Sequence, residues 1–198
     1  QGEARMNFFQ PLSTHFKPQK KDLQKLGGKS SGILRLLQFG QNVPVSFAIT
    51  TDLFESISQK SEFRRSLNQV LGLVSAEKSR LEIENACQEI KQNYSNQDLL
   101  KHSYSELKSN FQKYLNQFEA ICVRSSANFE DGATHSFAGV FASDLNIQGF
   151  EAYSEAIKNQ ILQIFEPDVI YYALSNDIDP REIKIAMLVQ EKVECQQY

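Results

Sequence analysis

No stretch of this 198-residue chain approaches the ~20 consecutive apolar residues that a membrane helix needs, so no membrane partner is expected. The opening residues are too short of apolar length, and too interrupted by polar side chains, for a secretory signal. Met6 reads as a natural start, with Gln1 to Arg5 as added residues. Cysteine is scarce. Cys87, Cys122 and Cys195 are odd in number and show no Cys-x-x-Cys spacing, which argues against a disulfide framework and for a reducing, cytoplasmic setting. His15, His102 and His135 stand far from any paired Cys or His, so no zinc site is expected. There is no surplus of positive charge either: the net charge is -3, and nucleic acid is not expected as a main partner. Lys17, Lys20, Lys21, Lys25 and Lys29 do gather with only Asp22 among them, and the first four read as a solvated leader. Repeats and low-complexity linkers are absent.

What is present is core-forming material. Hydrophobic residues make up 41% of the chain, with 14 Phe and 7 Tyr, enough for one large domain or two small ones. Residues 6 to 28 read as an irregular leader with a short strand around Phe8 and Phe9. Residues 30 to 39 read as a helix, with Ile33, Leu34 and Leu37 on one face and Gly40 as terminator. Pro44 disfavours helix at Val43, and Phe47 to Thr50 is a short, apolar, partly β-branched strand. Residues 52 to 118 contain no Pro and one Gly, Gly72. Leu100, Tyr104, Leu107, Phe111, Tyr114, Leu115 and Phe118 recur at the three- and four-residue steps of one helix face, so this block reads as a helical subdomain with an aromatic core stripe. Strands are then expected at Ala120 to Arg124, Phe137 to Ile147 with a bend near Gly139, and Ile183 to Val193. Between the last two, a helix carries Tyr153, Ile157, Ile161, Ile164 and Phe165, and a short helix follows Pro167. That order is α+β rather than a regular βαβ alternation.

Three segments could carry chemistry. In Leu26-Gly27-Gly28-Lys29-Ser30-Ser31-Gly32, paired glycines admit a ligand close to the backbone. A helix begins directly after them, presenting free N–H groups, and Lys29 adds a full charge. Phosphate binding is physically reasonable there, although such a stretch alone is more often a plain loop than a site. It is not a Walker A motif: Leu23 stands where that motif needs glycine, and Lys20-Lys21-Asp22 is no buried strand. In Val123-Arg124-Ser125-Ser126-Ala127-Asn128-Phe129-Glu130-Asp131, an arginine ends a buried strand and is followed by two hydroxyls. Its planar fork suits phosphate, and it equally suits internal pairing with Glu130 or Asp131. In Ser136-Phe137-Ala138-Gly139-Val140, a strand glycine permits close approach by a ligand or another backbone.

Taken in order, GGK, VPVSFAITT, VRSSANFED, SFAG and AMLVQEKV resemble the ATP-binding domain shared by phosphoenolpyruvate synthase, pyruvate phosphate dikinase, glucan water dikinase and rifampin phosphotransferase. The likeness is good over residues 26 to 54 and 120 to 149 and looser over 183 to 193. It implies an α+β fold that is the first lobe of an ATP-grasp-like nucleotide-binding domain with an inserted helical subdomain, about 52–118. Residues 1–25 would be a leader and 26–198 the ATP-binding lobe. The resemblance assigns ATP-phosphate contacts to Lys29 and Arg124. It lays Gly139 against the nucleotide, puts the Ser143 hydroxyl in place of a threonine, and brings Gln190 to the adenine side. It further implies ATP as ligand, Mg²⁺ held by carboxylates outside this chain, and a phosphohistidine domain among the remaining domains of a parent enzyme. This portion alone is then expected to be inactive.

The sequence also departs from the family. Ser30-Ser31-Gly32-Ile33 replaces a small residue and Asn-Leu, Ser46 replaces a glycine, and Val140 replaces a glutamine. Asp168-Val169-Ile170-Tyr171-Tyr172 lacks the usual arginines. Those changes keep open an inactive nucleotide-binding or regulatory module of the same fold.

Overall fold

The computed structural model describes residues 8–127 and 141–193. Its centre is one antiparallel sheet of five strands: β1 (Phe9–Leu12), β2 (Ser46–Ile49), β3 (Ile121–Ala127), β4 (Ser143–Ile147) and β5 (Ile185–Glu191), in the spatial order β1-β2-β5-β3-β4. The helices are α1 (Lys20–Gln38), α2 (Thr51–Ser58), α3 (Ser61–Ser75), α4 (Arg80–Ser95), α5 (Tyr104–Asn110), α6 (Gly149–Leu162) and α7 (Pro167–Ser175). A π turn at Phe111–Leu115 continues α5, and 3₁₀ turns follow at Gln163–Phe165 and Pro180–Glu182.

The two faces of the sheet are covered unequally. Side chains alternate along a strand, so Phe47 and Ile49 of β2, Ile121, Val123 and Ala127 of β3, and Ile185, Met187 and Val189 of β5 point to one side. There they share a continuous core with α2 to α7. Ala48 and Leu188 point to the other side, where Leu26 and Leu34 of α1 meet them with Leu12. Being buried on both faces, β5 reads IAMLVQE, an apolar run without alternation.

The aromatic residues tie the helical layer together. Phe63 lies 6.1 Å from Phe54, 5.5 Å from Tyr94 and 5.0 Å from Phe165, joining α2, α3, α4 and the first 3₁₀ turn. Tyr114 of the π turn stacks on Phe9 at 5.6 Å and so reaches the edge strand. Helix α4 starts at a capping box in which Glu82 N–H donates to Ser79 Oγ and Ser79 N–H donates to Glu82 Oε2.

One local outcome differs from the sequence reading and another is met in part. The supposedly irregular leader enters helix at Lys20, where Asp22 accepts the Gln19 backbone N–H at 2.9 Å and so caps the start. Helical residues then run on both sides of Gly27, which kinks α1 at φ 73° instead of preceding it. Of the strand expected over 137–147, Ser143–Ile147 is β4, while 137–140 lies outside the described residues.

Candidate functional site

The α1 kink and strand β3 meet on the less covered face. Gly27 packs so closely on β3 and β5 that a Cβ there would stand 2.8 Å from Ser126 Oγ and 3.1 Å from Ala186 Cβ. With the helix broken at Gly27, backbone N–H groups of its second half lack intrahelical partners. Ser126 supplies one from 97 positions away: Lys29 N–H donates to its Oγ at 3.2 Å. The Lys29 ammonium reaches further along the same strand and donates to the Ser125 carbonyl at 2.7 Å. The glycines of the GGK stretch thus set a helix start, and a lysine ammonium, against the VRSS strand.

Arg124 is the next residue along β3. Alternation puts Cys122, Arg124 and Ser126 on the α1 side, because Ser126 contacts Gly27 and Lys29 there. Arg124 is exposed, and among the described residues no carboxylate forms an ion pair with it. Its rival partners from the sequence, Glu130 and Asp131, lie outside the described residues. Directly across the ladder from Arg124 stands Ser143 of β4, so the two side chains rise from the same face. On the other flank Arg124 faces Leu188 of β5, and Gln190 follows two residues on, paired with Cys122.

Lys29, Arg124, Ser143 and Gln190 therefore lie on one face of the sheet, and Gly139 falls outside the described residues. They are not equally placed. Lys29 is anchored one residue from Arg124 and Ser143 is opposite it, whereas the Gln190 amide donates to Ser46 Oγ at 2.9 Å, towards β2. Cys122 is half-buried between them. Burial raises its thiol pKa, partly opposed by the charge of Arg124.

The polar support beneath this face was missed from the sequence. Ser125 N–H donates to Gln160 Oε1 at 3.1 Å, and Gln160 Nε2 donates to Asp144 Oδ2 at 2.7 Å. Gln163 binds Ala142 twice, accepting its N–H at 2.8 Å and donating to its carbonyl at 3.2 Å. The available signal was two glutamines, at i and i+3, interleaved with the buried isoleucines of α6.

A cavity of about 490 Å³ lies elsewhere, with an apolar floor including Phe54, Phe63 and Ile164 and a rim including Arg64, Arg181 and Lys184. Arg181 is engaged by Asp179 and Lys184 by Glu55, and none of the five candidate residues lines it. The candidate residues lie instead on the sheet face that carries α1, where Arg124 and Ser143 are exposed. Among the described residues no group of three or more His, Cys, Asp or Glu could hold a metal ion, and no helix is long and apolar enough to cross a membrane.

The family model described as "Pyruvate phosphate dikinase, AMP/ATP-binding domain" matches residues 23–197. Similar relatives include a probable phosphoenolpyruvate synthase of Methanothermobacter thermautotrophicus, 27% identical over 89% of this chain and 26% of the relative. The phosphoenolpyruvate synthase of Escherichia coli is 26% identical over 87% of this chain and 22% of the relative. The rifampicin phosphotransferase of Bacillus subtilis is 29% identical over 88% of this chain and 20% of the relative. The chain thus spans about a quarter of the length of these relatives, or less.

Proposed function

Since this chain belongs to the pyruvate phosphate dikinase AMP/ATP-binding domain family, we propose that its less covered sheet face holds the phosphates of ATP for a phosphotransferase of the phosphoenolpyruvate synthase type. The observation that supports this reading is the 2.7 Å bond from the Lys29 ammonium to the Ser125 carbonyl, which anchors one cation at the residue next to a second, Arg124. Phosphoryl transfer asks a protein mainly for positioning and charge neutralisation. Lys29 supplies a point charge at a helix start, and Arg124 a planar fork suited to two phosphate oxygens. Ser143, across from Arg124, adds a hydroxyl. Gln190 lies further along the face for the adenine side, and Gly139 is assigned to close approach by the nucleotide.

In this reading the chain is the first lobe of an ATP-grasp-like domain. Residues 26–198 form the ATP-binding lobe, 1–25 precede it, and the helices of 52–118 form an inserted subdomain. Mg²⁺, when bound, would neutralise phosphate charge from carboxylates outside this chain. The phosphoryl group would pass to a histidine on another domain of the parent enzyme. Each cation contact is worth about 1.5–3 kcal/mol, so Lys29→Ala and Arg124→Ala should each weaken ATP binding by roughly 10- to 150-fold. Calorimetry on the longest available form of the protein tests this, and wild-type affinity in both variants would end the assignment.

A second reading, a nucleotide-binding regulatory module without turnover, is favoured by Ser30-Ser31-Gly32 and by the absence of arginine from 168–172. ATP consumption by the longest form separates the two: turnover supports the enzyme, and binding without turnover supports the module.

A further inference from the structure

Strand β3 outruns its neighbour. It pairs with β5 as far as Ala127 but with β4 only as far as Arg124, opposite Ser143. The Ser125 groups that face the β4 side therefore need other partners, because an unpaired buried backbone group is costly. They find them on opposite faces of the sheet. The N–H donates to Gln160 of α6 at 3.1 Å, and the carbonyl accepts from Lys29 of α1 at 2.7 Å.

The Gln160 amide can point only one way. Asp144 as a carboxylate only accepts, so the atom 2.7 Å from its Oδ2 is the Nε2 donor. A backbone N–H only donates, so the atom facing Ser125 is the Oε1 acceptor, which also receives Gln163 Nε2 at 2.9 Å. Gln160 is fully buried. One side chain thus joins the Ser125 backbone to β4 where direct strand pairing ends, immediately beside Arg124 and Ser143.

We propose that Gln160 is a positioning residue for the ATP-phosphate site, holding Ser125 and Asp144 so that Lys29, Arg124 and Ser143 keep one geometry. This rests on the ATP reading above. The role depends on a neutral side chain that accepts at one end and donates at the other. A glutamate can accept from Ser125 but can donate to Asp144 only when protonated. Two carboxylates at hydrogen-bond distance cannot both ionise freely, so they come to share a proton as pH falls. Among the described residues, the charged groups facing this spot are Asp144 itself and, lining the same cavity as Asp144 and Gln163, the Lys91–Glu166 ion pair. Lys29 approaches through Ser125 from the other face.

The experiment is ATP titration of wild type, Gln160→Glu and Gln160→Leu in the longest available form of the protein, at about pH 8 and about pH 5.5. Reading the variant-to-wild-type ratio cancels the titration of ATP itself. Gln160→Glu is expected to bind about tenfold more weakly at the higher pH and to return to within about twofold of wild type at the lower. Gln160→Leu is expected to stay weak at both. A ratio for Gln160→Glu that does not change with pH, or wild-type affinity in Gln160→Leu, overturns the proposal while leaving the ATP reading intact. A wild-type protein that binds no ATP sinks that reading instead. Amide hydrogen exchange accompanies each titration. Protection lost at Ser125 alone supports positioning, whereas protection lost across the whole sheet assigns Gln160 to general stability and overturns it.

Discussion

Adding one methyl group at Gly27 would place a carbon 2.8 Å from Ser126 Oγ and hold an L side chain at φ +73°. Both effects disfavour the fold, one by overlap and one by backbone strain, so Gly27→Ala should cost about 2–4 kcal/mol. Denaturant unfolding measures it. A wild-type midpoint in Gly27→Ala would mean that α1 is not seated on β3 as described. The thiols offer a second test at this scale. Burial pushes Cys87 up to about 11 and also raises Cys122, where Arg124 pulls the other way. Because the thiolate is the nucleophile, a raised value leaves little of it at about pH 8. Alkylation of Cys87 should therefore rise about tenfold per pH unit until the pH nears its raised value. Half-buried Cys122 should label before Cys87, and saturating ATP should slow Cys122 while leaving Cys87 unchanged in site-resolved mass spectrometry. A Cys122 rate indifferent to ATP would place the nucleotide off this face.

At the level of elements, the helical layer turns on Phe63, which contacts Phe54, Tyr94 and Phe165. Phe63→Ala should cost about 3–5 kcal/mol. A melting scan that showed less than about 1 kcal/mol would mean the layer repacks freely. This layer was legible in advance because helix periodicity is local: Leu107, Phe111 and Leu115 recur at four-residue steps and all are buried. The apolar run of β5 was legible for the same reason. Helix α1 was misread because a glycine pair looks like a terminator, and only contact with Ser126 and Ala186 shows why a helix continues through it. Lys29 and Arg124 could be named from resemblance to a family, but the bond from Lys29 to Ser125, the neighbour of Arg124, joins residues 96 apart and leaves no periodic trace. Gln160 and Gln163 escaped notice because a polar residue on a helix ordinarily faces water, and nothing local distinguishes one that completes a sheet.

For the molecule as a whole, the unequal covering of the sheet sets what the chain can do alone. One face is closed by α2 to α7, while on the other α1 leaves Arg124 and Ser143 exposed and Leu145 69% accessible. On the proposed reading, the described residues offer a nucleotide one wall there, so ATP affinity of this chain should be on the order of 1 mM and turnover absent. At that affinity 1 mM ATP stabilises by about 0.4 kcal/mol, a rise of about 1–2 °C in melting temperature. A rise above about 5 °C, or measurable ATP consumption, would mean that one wall suffices. The strand order carries a last consequence, one of timing. β5 sits between β2 and β3 yet is the last of the five to leave the ribosome. Until Ile185–Glu191 emerges, β1–β2 and β3–β4 are two strand pairs with no common neighbour, their inner edges open to foreign strands. A nascent chain of this protein must wait, shielded, for its own keystone.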